Sequence, residues 1–346
     1  VPSAYADFVG YDEVAHHSGL FAPTALDTLR RLDAQFARLE YAITEAPRPY
    51  HVVILSDHGQ TQGATFLQRY DRSLKDLVDS LIDDDVEITV PEMSSEGWGN
   101  LNGALTEAVR DKDSRVGKLL AVTTRKRLVD GDVVLGPAFA DEKAQATGTD
   151  TTAESDVIVL ASGNLGLISF TDIEGRASME ELSTRFPGLV AGLAEHPGIG
   201  FVLVSSESLG GLVIGGGGIR YLSDDHVEGE DPLIGFGPNA ADHLRRTHSF
   251  VNAPDILVNS FYDPHADEGA AFEELIGFHG GMGGNQTHPF VLFPSGFAVP
   301  DEPMVGAATI HHLFKGWMAT INDGSAPAPW TVPERPANAP IPVPEV

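Results

Sequence analysis

The chain has no cysteine. That excludes a disulfide framework, a thiolate nucleophile and a thiolate zinc site, and it leaves the compartment open. Positive charge is also scarce: 22 Lys plus Arg stand against 50 Asp plus Glu, a formal net charge of -28. Such an excess argues against nucleic-acid backbone binding and against an anionic membrane surface. It would also repel phosphate esters unless bound divalent cations supplied positive charge locally. A plainer role for most of these carboxylates is to keep the chain soluble. No run of eighteen apolar residues exists. The nearest, 201–219, is interrupted by Ser205, Ser206, Glu207, Ser208 and the glycines at 210, 211 and 215–218, so no membrane segment is expected. No leader pattern stands before the first expected strand. Location and oligomeric state are not written in the sequence.

What is present begins with 346 residues of globular composition, 42% of them apolar, enough for one large α/β domain or two smaller ones. The stretch from Tyr50 to Gly63 reads as a buried strand, His51 to Leu55, running into the polar turn Ser56-Asp57-His58-Gly59. In an open α/β sheet, ligands sit beyond the carboxyl ends of the strands, where a carboxylate and an imidazole can hold an ion. Gly59 gives the turn the freedom to aim Asp57 and His58 at one point. Taken alone the pair reads more readily as an Asx-type turn capping a strand end.

Ser3 to Val9 has the aromatic and β-branched content of a strand, and Asp12 and His16 follow it four residues apart. On a helix that spacing puts both side chains on one face. From Thr24 to Thr44 apolar residues recur at helical spacing, with Thr24 and Asp27 as a possible capping box; Pro47 and Pro49 end the helix before the Tyr50 strand. Strand, helix and strand then predict a right-handed βαβ unit with both acid–histidine pairs on the same sheet edge.

Further on, a helical stripe covers 65–82, and another helix is expected over 101–127, with a basic patch at Lys118, Arg125, Lys126 and Arg127. Residues 139–156 read as a loop. Strands are expected at Asp156–Ser162 and Leu165–Phe170 around a Gly163-Asn164 hairpin turn, at Phe201–Ser205 and at Asp255–Phe261. The glycines between 210 and 218 lack phosphate-loop spacing and read as tight turns between strands. Helices are expected over 178–194, broken at Pro187, then over 240–248 and 307–321; His243 and His248 read as surface residues. Five glycines, at 277, 280, 281, 283 and 284, surround His279 and Met282 on an irregular loop, a setting that favours function. The sequence shows one α/β domain over 1–324 and a Pro-rich tail over 325–346, with no internal repeat.

The three stretches D-x-x-x-H, DHG and a distant HG loop together resemble the alkaline phosphatase superfamily, in its type I phosphodiesterase and nucleotide pyrophosphatase branch. The resemblance covers roughly 1–80 and 254–300. It implies a mostly parallel central sheet flanked by helices on both faces. It further implies two divalent metal ions, zinc with manganese possible, one held by Asp12, His16 and His279 and a second to which Asp57 and His58 contribute. The implied activity is two-metal in-line hydrolysis of a small phosphate-ester substrate, with phosphomonoester and sulfate ester as neighbouring substrate classes. His17 is expected to point elsewhere, and His288 is a rival to His279. In the family a Thr or Ser nucleophile and a further aspartate precede D-x-x-x-H. Here only eleven residues do, and Ser3 and Asp7, inside the expected strand, are not assigned those roles. The expectation is an N-terminally truncated family domain or a catalytically incomplete, metal-binding remnant acting as an interaction module.

Overall fold

A computed structural model describes residues 3–82, 86–90, 128–129, 132–133 and 156–325. The helix expected over 101–127 with its basic patch, the loop at 139–155 and the tail beyond Ser325 lie outside the described residues.

The N-terminal part departs from the expected βαβ unit. Residues 3–8 form no strand, and helix α1 (Gly10–Ser18) begins at once. Helix α2 (Pro23–Thr44) follows the expected span but starts on Pro23, whose fixed φ and missing N–H suit a first turn; Thr24 and Asp27 lie inside the helix, and no side chain caps it. It packs against α1, with Phe8 and Phe36 edge to face at 5.5 Å. Its apolar face is not spread over a sheet: Leu29 and Leu39 stay 39% and 44% exposed. Of the strand expected at 51–55 only β1 (Ile54–Leu55) is paired, later in the chain and antiparallel. The parallel partner it was expected to find does not form.

After β2 (Thr61–Gln62) the helical stripe over 65–82 divides into α3 (Phe66–Tyr70) and α4 (Leu74–Asp79). Each opens on a capping box, Thr65 with Gln68 and Ser73 with Asp76, and left-handed Asp71 at φ 53° makes the break. The chain continues through β3 (Ile88–Thr89), a small hairpin of β4 (Leu128–Val129) and β5 (Asp132–Val133), and the six-residue strands β6 (Val157–Ser162) and β7 (Leu165–Phe170). Helices α5 (Met179–Arg185) and α6 (Leu189–Glu195) are separated at Pro187 as expected. Strands β8 (Ile199–Ser206), β9 (Gly210–Gly215), β10 (Gly218–Tyr221) and β11 (Val227–Gly229) form a meander through the glycine-rich turns, and α7 (Ala240–His248) leads into β12 (Ile256–Ser260). Short strands β13 (Tyr262–Asp263), β14 (Glu268–Gly269), β15 (Gly277–Phe278) and β16 (Val291–Leu292) precede the closing helix α8 (Ala307–Asp323).

The central sheet has eight strands in the order β11-β10-β9-β8-β12-β7-β6-β3. It is antiparallel throughout except for β3 beside β6, which corrects the expectation of a mostly parallel sheet. Short turns such as Gly163-Asn164 return the chain directly, whereas parallel neighbours need long crossovers. Helices do flank both faces. Along β8, Val202 and Val204 enter a core built with α3, α4, α5 and α6, while Phe201 and Leu203 enter a second core with Phe236, Ala240 and Leu244. That period-two alternation, with both faces apolar, accounts for the strand's unbroken hydrophobicity. Each fully buried Leu, Val or Phe stabilises the fold by ~1.5–3 kcal/mol.

Two smaller sheets hold the ends of the chain together. β1 pairs with β16, and β2 lies between β14 and β15 in the order β13-β14-β2-β15. Thr61 faces Phe278 across the antiparallel β2–β15 pair. The DHG turn therefore leads into a strand whose partner ends one residue before His279.

Candidate metal centre

Helix α1 presents Asp12 and His16 one turn apart on the same face. His16 Nε2 lies 3.2 Å from Asp12 Oδ2, and His279 Nε2 lies 3.7 Å from Asp12 Oδ1. One donor atom from each of the three residues falls within 4.8 Å of the others. His16 and His279 are 7% and 8% exposed, so the two rings are held in protein rather than in solvent. The third ring beside them is His58, stacked on His279 with centroids 3.7 Å apart.

Backbone contacts fix these side chains. His16 Nδ1 stands 2.6 Å from the Gly277 carbonyl, to which it can only donate, so Nε2 is the nitrogen turned to the cluster. A ligating histidine commonly shows this outer-shell bond, which sets both ring orientation and tautomer. The main chain adds a second tie, since Ile276 N donates to the His16 carbonyl. His279 is delivered by a loop that the central sheet grips. Asn164 accepts from Gly281 N at 3.1 Å and donates to the Met282 carbonyl at 2.9 Å. Asn259, at the end of β12, accepts from Met282 N at 2.7 Å and donates to the same carbonyl at 3.1 Å. Thr61 donates to the Gly283 carbonyl. At Gly163, φ is 55° and a Cβ would stand 1.7 Å from the His279 carbonyl oxygen. Only glycine lets the β6–β7 turn approach so closely.

Gly59 has a different role from the one its sequence context suggests. It is absent from the glycines with positive φ; its hydrogen is needed because a Cβ would meet the Asn285 carbonyl at 2.1 Å. The turn is thereby pressed against the segment after His279, and Gly59 N donates to Gln286 O at 3.0 Å.

Charge in the cluster is strongly coupled. Burial by itself disfavours the ionised Asp12. Hydrogen bonds with His16 and His279, the charge of His16 and the Gln60 amide overcome that and hold the carboxyl far below its ordinary range. Burial likewise opposes the His16 imidazolium, and the bonds to Asp12 and the Gly277 carbonyl, with the charges of Asp12 and Glu13, outweigh it and raise its pKa. One carboxylate and two imidazoles, one with its outer nitrogen already tied, form a donor set that fits a divalent cation of zinc type.

Asp57 and His58 lie beside this group without completing a second one. Asp57 is 87% exposed, accepts from His58 N at 3.0 Å, and has its Oδ2 3.5 Å from His58 Nε2; His58 Nδ1 is 2.9 Å from the Gly59 carbonyl. Among the described residues the only group of three or more metal-binding side chains is Asp12, His16 and His279. His17 turns away to Glu13 at 3.7 Å, and His288 is exposed outside the cluster. Sequence reasoning missed Gln60, Asn164 and Asn259. Their signal is weak: Gln60 and Asn164 are polar residues beside glycine turns, and Asn259 is a polar residue inside an apolar strand. No family model, curated protein or solved structure matches the chain.

Proposed function

We propose that Asp12, His16 and His279 hold a divalent cation, zinc or alternatively manganese, and that the site belongs to a metal-dependent hydrolase of phosphate esters of the phosphodiesterase or nucleotide pyrophosphatase type. The carrying observation is the convergence of those three donors with the Nδ1 of His16 committed to Gly277. The order of the D-x-x-x-H, DHG and HG stretches supports the phosphate-ester chemistry. In the same reading Asp57 and His58 contribute to holding a second cation. Bound cations supply Lewis acidity and neutralise charge on the reacting phosphoryl group.

The chain's own residues have separable tasks in this reading. Asp12 offsets cation charge and, through its ionisation, keeps the site ready to receive one. The His16 and His279 rings shield one side from water. Asp57, exposed to solvent, repels an anionic ester until a cation covers the carboxylate.

A second reading is a metal-binding domain without turnover. It is favoured by the incomplete Asp57 and His58 pair. Metal titration followed by hydrolysis of bis(p-nitrophenyl) phosphate, p-nitrophenyl phosphate and p-nitrophenyl sulfate, with added zinc or manganese, separates the two. Diester turnover lost in an Asp57→Ala, His58→Ala variant supports the hydrolase; one bound ion with no turnover selects the second reading; a chain that takes up no metal sinks both.

A further inference from the structure

Gln60 ends the DHG turn and is 7% exposed, yet neither the strand pairing nor the core explains it. Its Nε2 is directed wholly at Asp12, donating to the main-chain carbonyl at 3.2 Å and, at shorter range, to carboxylate Oδ1. Its Oε1 is buried and has no hydrogen-bond partner among the described residues. A buried amide normally satisfies both ends, so an orientation that satisfies only the donor end is dictated by the group it faces. Turning the amide over would set Oε1 against the Asp12 carbonyl and carboxylate, three acceptors together. The two oxygens of Asp12 are thereby made unequal: Oδ1 takes the Gln60 hydrogen bond and has His279 Nε2 at 3.7 Å, whereas Oδ2 takes no bond from Gln60 and faces the Nε2 of His16 at 3.2 Å.

We propose that Gln60 is a positioning residue that holds Asp12 as a one-oxygen ligand and so biases the centre toward zinc over manganese. The proposal rests on the reading that Asp12, His16 and His279 bind a cation. Zinc accepts four ligands of mixed nitrogen and oxygen type, whereas manganese favours more oxygen ligands and gains from a carboxylate that can offer both oxygens. Removing the Gln60 donor frees the second oxygen.

The test measures zinc and manganese dissociation constants by calorimetry on the parent chain, on Gln60→Met and on Gln60→Glu, with circular dichroism to verify folding. Gln60→Met keeps the length and removes the donor; Gln60→Glu keeps the shape, removes the donor and adds an oxygen ligand. The preference for zinc over manganese should shrink by about tenfold in Gln60→Met and by at least as much in Gln60→Glu, a change on the order of what outer-shell partners contribute to the affinity for one metal. A parallel weakening of both metals, with the ratio unchanged, would mean that Gln60 serves the fold alone and would overturn the proposal, as would no change. If Gln60→Met does not fold, the ratio in Gln60→Leu, which also lacks the donor and adds no ligand, decides by the same criterion. A parent chain that binds neither metal overturns the metal reading and this one with it.

Discussion

Asp12 and His16 each stabilise the other's charged form, and this fixes how the metal-free protein titrates. His16 has a raised pKa. Its contribution to stability is therefore complete below the ordinary histidine value of about 6.5 and is lost as pH rises through the higher folded value. Asp12 has the opposite sign: its contribution is complete above the ordinary carboxylate value of about 3.9 and is lost as pH falls toward its depressed folded value. NMR titration of the metal-free chain should give His16 a midpoint above ~6.5, and Asp12→Asn should bring that midpoint down. A midpoint indifferent to Asp12→Asn would mean that the pair is not coupled in solution. A second residue, Gly163, carries the approach of the β6–β7 turn to His279. Gly163→Ala combines a left-handed φ with a Cβ inside the His279 carbonyl's space, so urea denaturation should register a loss of at least ~1–3 kcal/mol. Metal affinity should fall with it, because His279 must move to make room.

Among elements, the loop from His279 to Gly283 depends on two buried asparagines rather than on regular pairing. Asn259→Ala removes the acceptor for Met282 N and one donor to the Met282 carbonyl. Leaving such a group unsatisfied costs about 1–3 kcal/mol, measurable as a lower urea midpoint with an unchanged slope. Asn164 still reaches Gly281, so a smaller loss in Asn259→Ala would show that one clamp suffices.

The sequence made the central strands legible, β6, β7, β8 and β12, because their apolar runs are bounded by Gly163-Asn164, Pro197-Gly198, Ser206 to Ser208 and Pro254. Strand direction was legible at the Gly163-Asn164 hairpin turn between β6 and β7 but not for the sheet as a whole. Runs apolar on both faces mark burial, and burial is common to parallel and antiparallel layers when helices cover each side. The break between α3 and α4 was present in the Ser73 and Asp76 capping box, hidden beneath a continuous apolar stripe. For residues 3–8 the composition of a strand was present but a neighbouring ladder was not. The spacing of Asp12 and His16 was readable from helical periodicity alone. Gln60, Asn164 and Asn259 were not, since their importance lies in partners more than twenty positions away.

Over the whole molecule, a formal charge of -28 makes self-repulsion a term that acts on every element. Raising salt from about 0.01 M to 0.15 M shortens the screening length from ~30 Å to ~8 Å and should raise the melting temperature of the metal-free chain. Exposed pairs such as Arg185 with Asp172 and Arg69 with Glu268 weaken under the same change. Each is worth only ~0–1 kcal/mol. A melting temperature that falls with salt would show that those attractions outweigh the repulsion.

Strand β12 lies between β8 and β7, although it follows both in the chain. On a ribosome, the β6–β7 hairpin and the β8–β11 meander can each form from adjacent sequence, but each is left with one open edge until Ile256–Ser260 emerges. Closing that gap requires contacts distant in sequence, the slow class of folding event. The same strand brings Asn259 to the His279 loop, so the candidate metal centre is assembled in the step that joins the two halves of the sheet. A nascent or prematurely terminated chain ending before residue 256 would expose two unpaired strand edges and lack His279. It would therefore be prone to edge-to-edge aggregation at the stage when a cation has the fewest ligands to find.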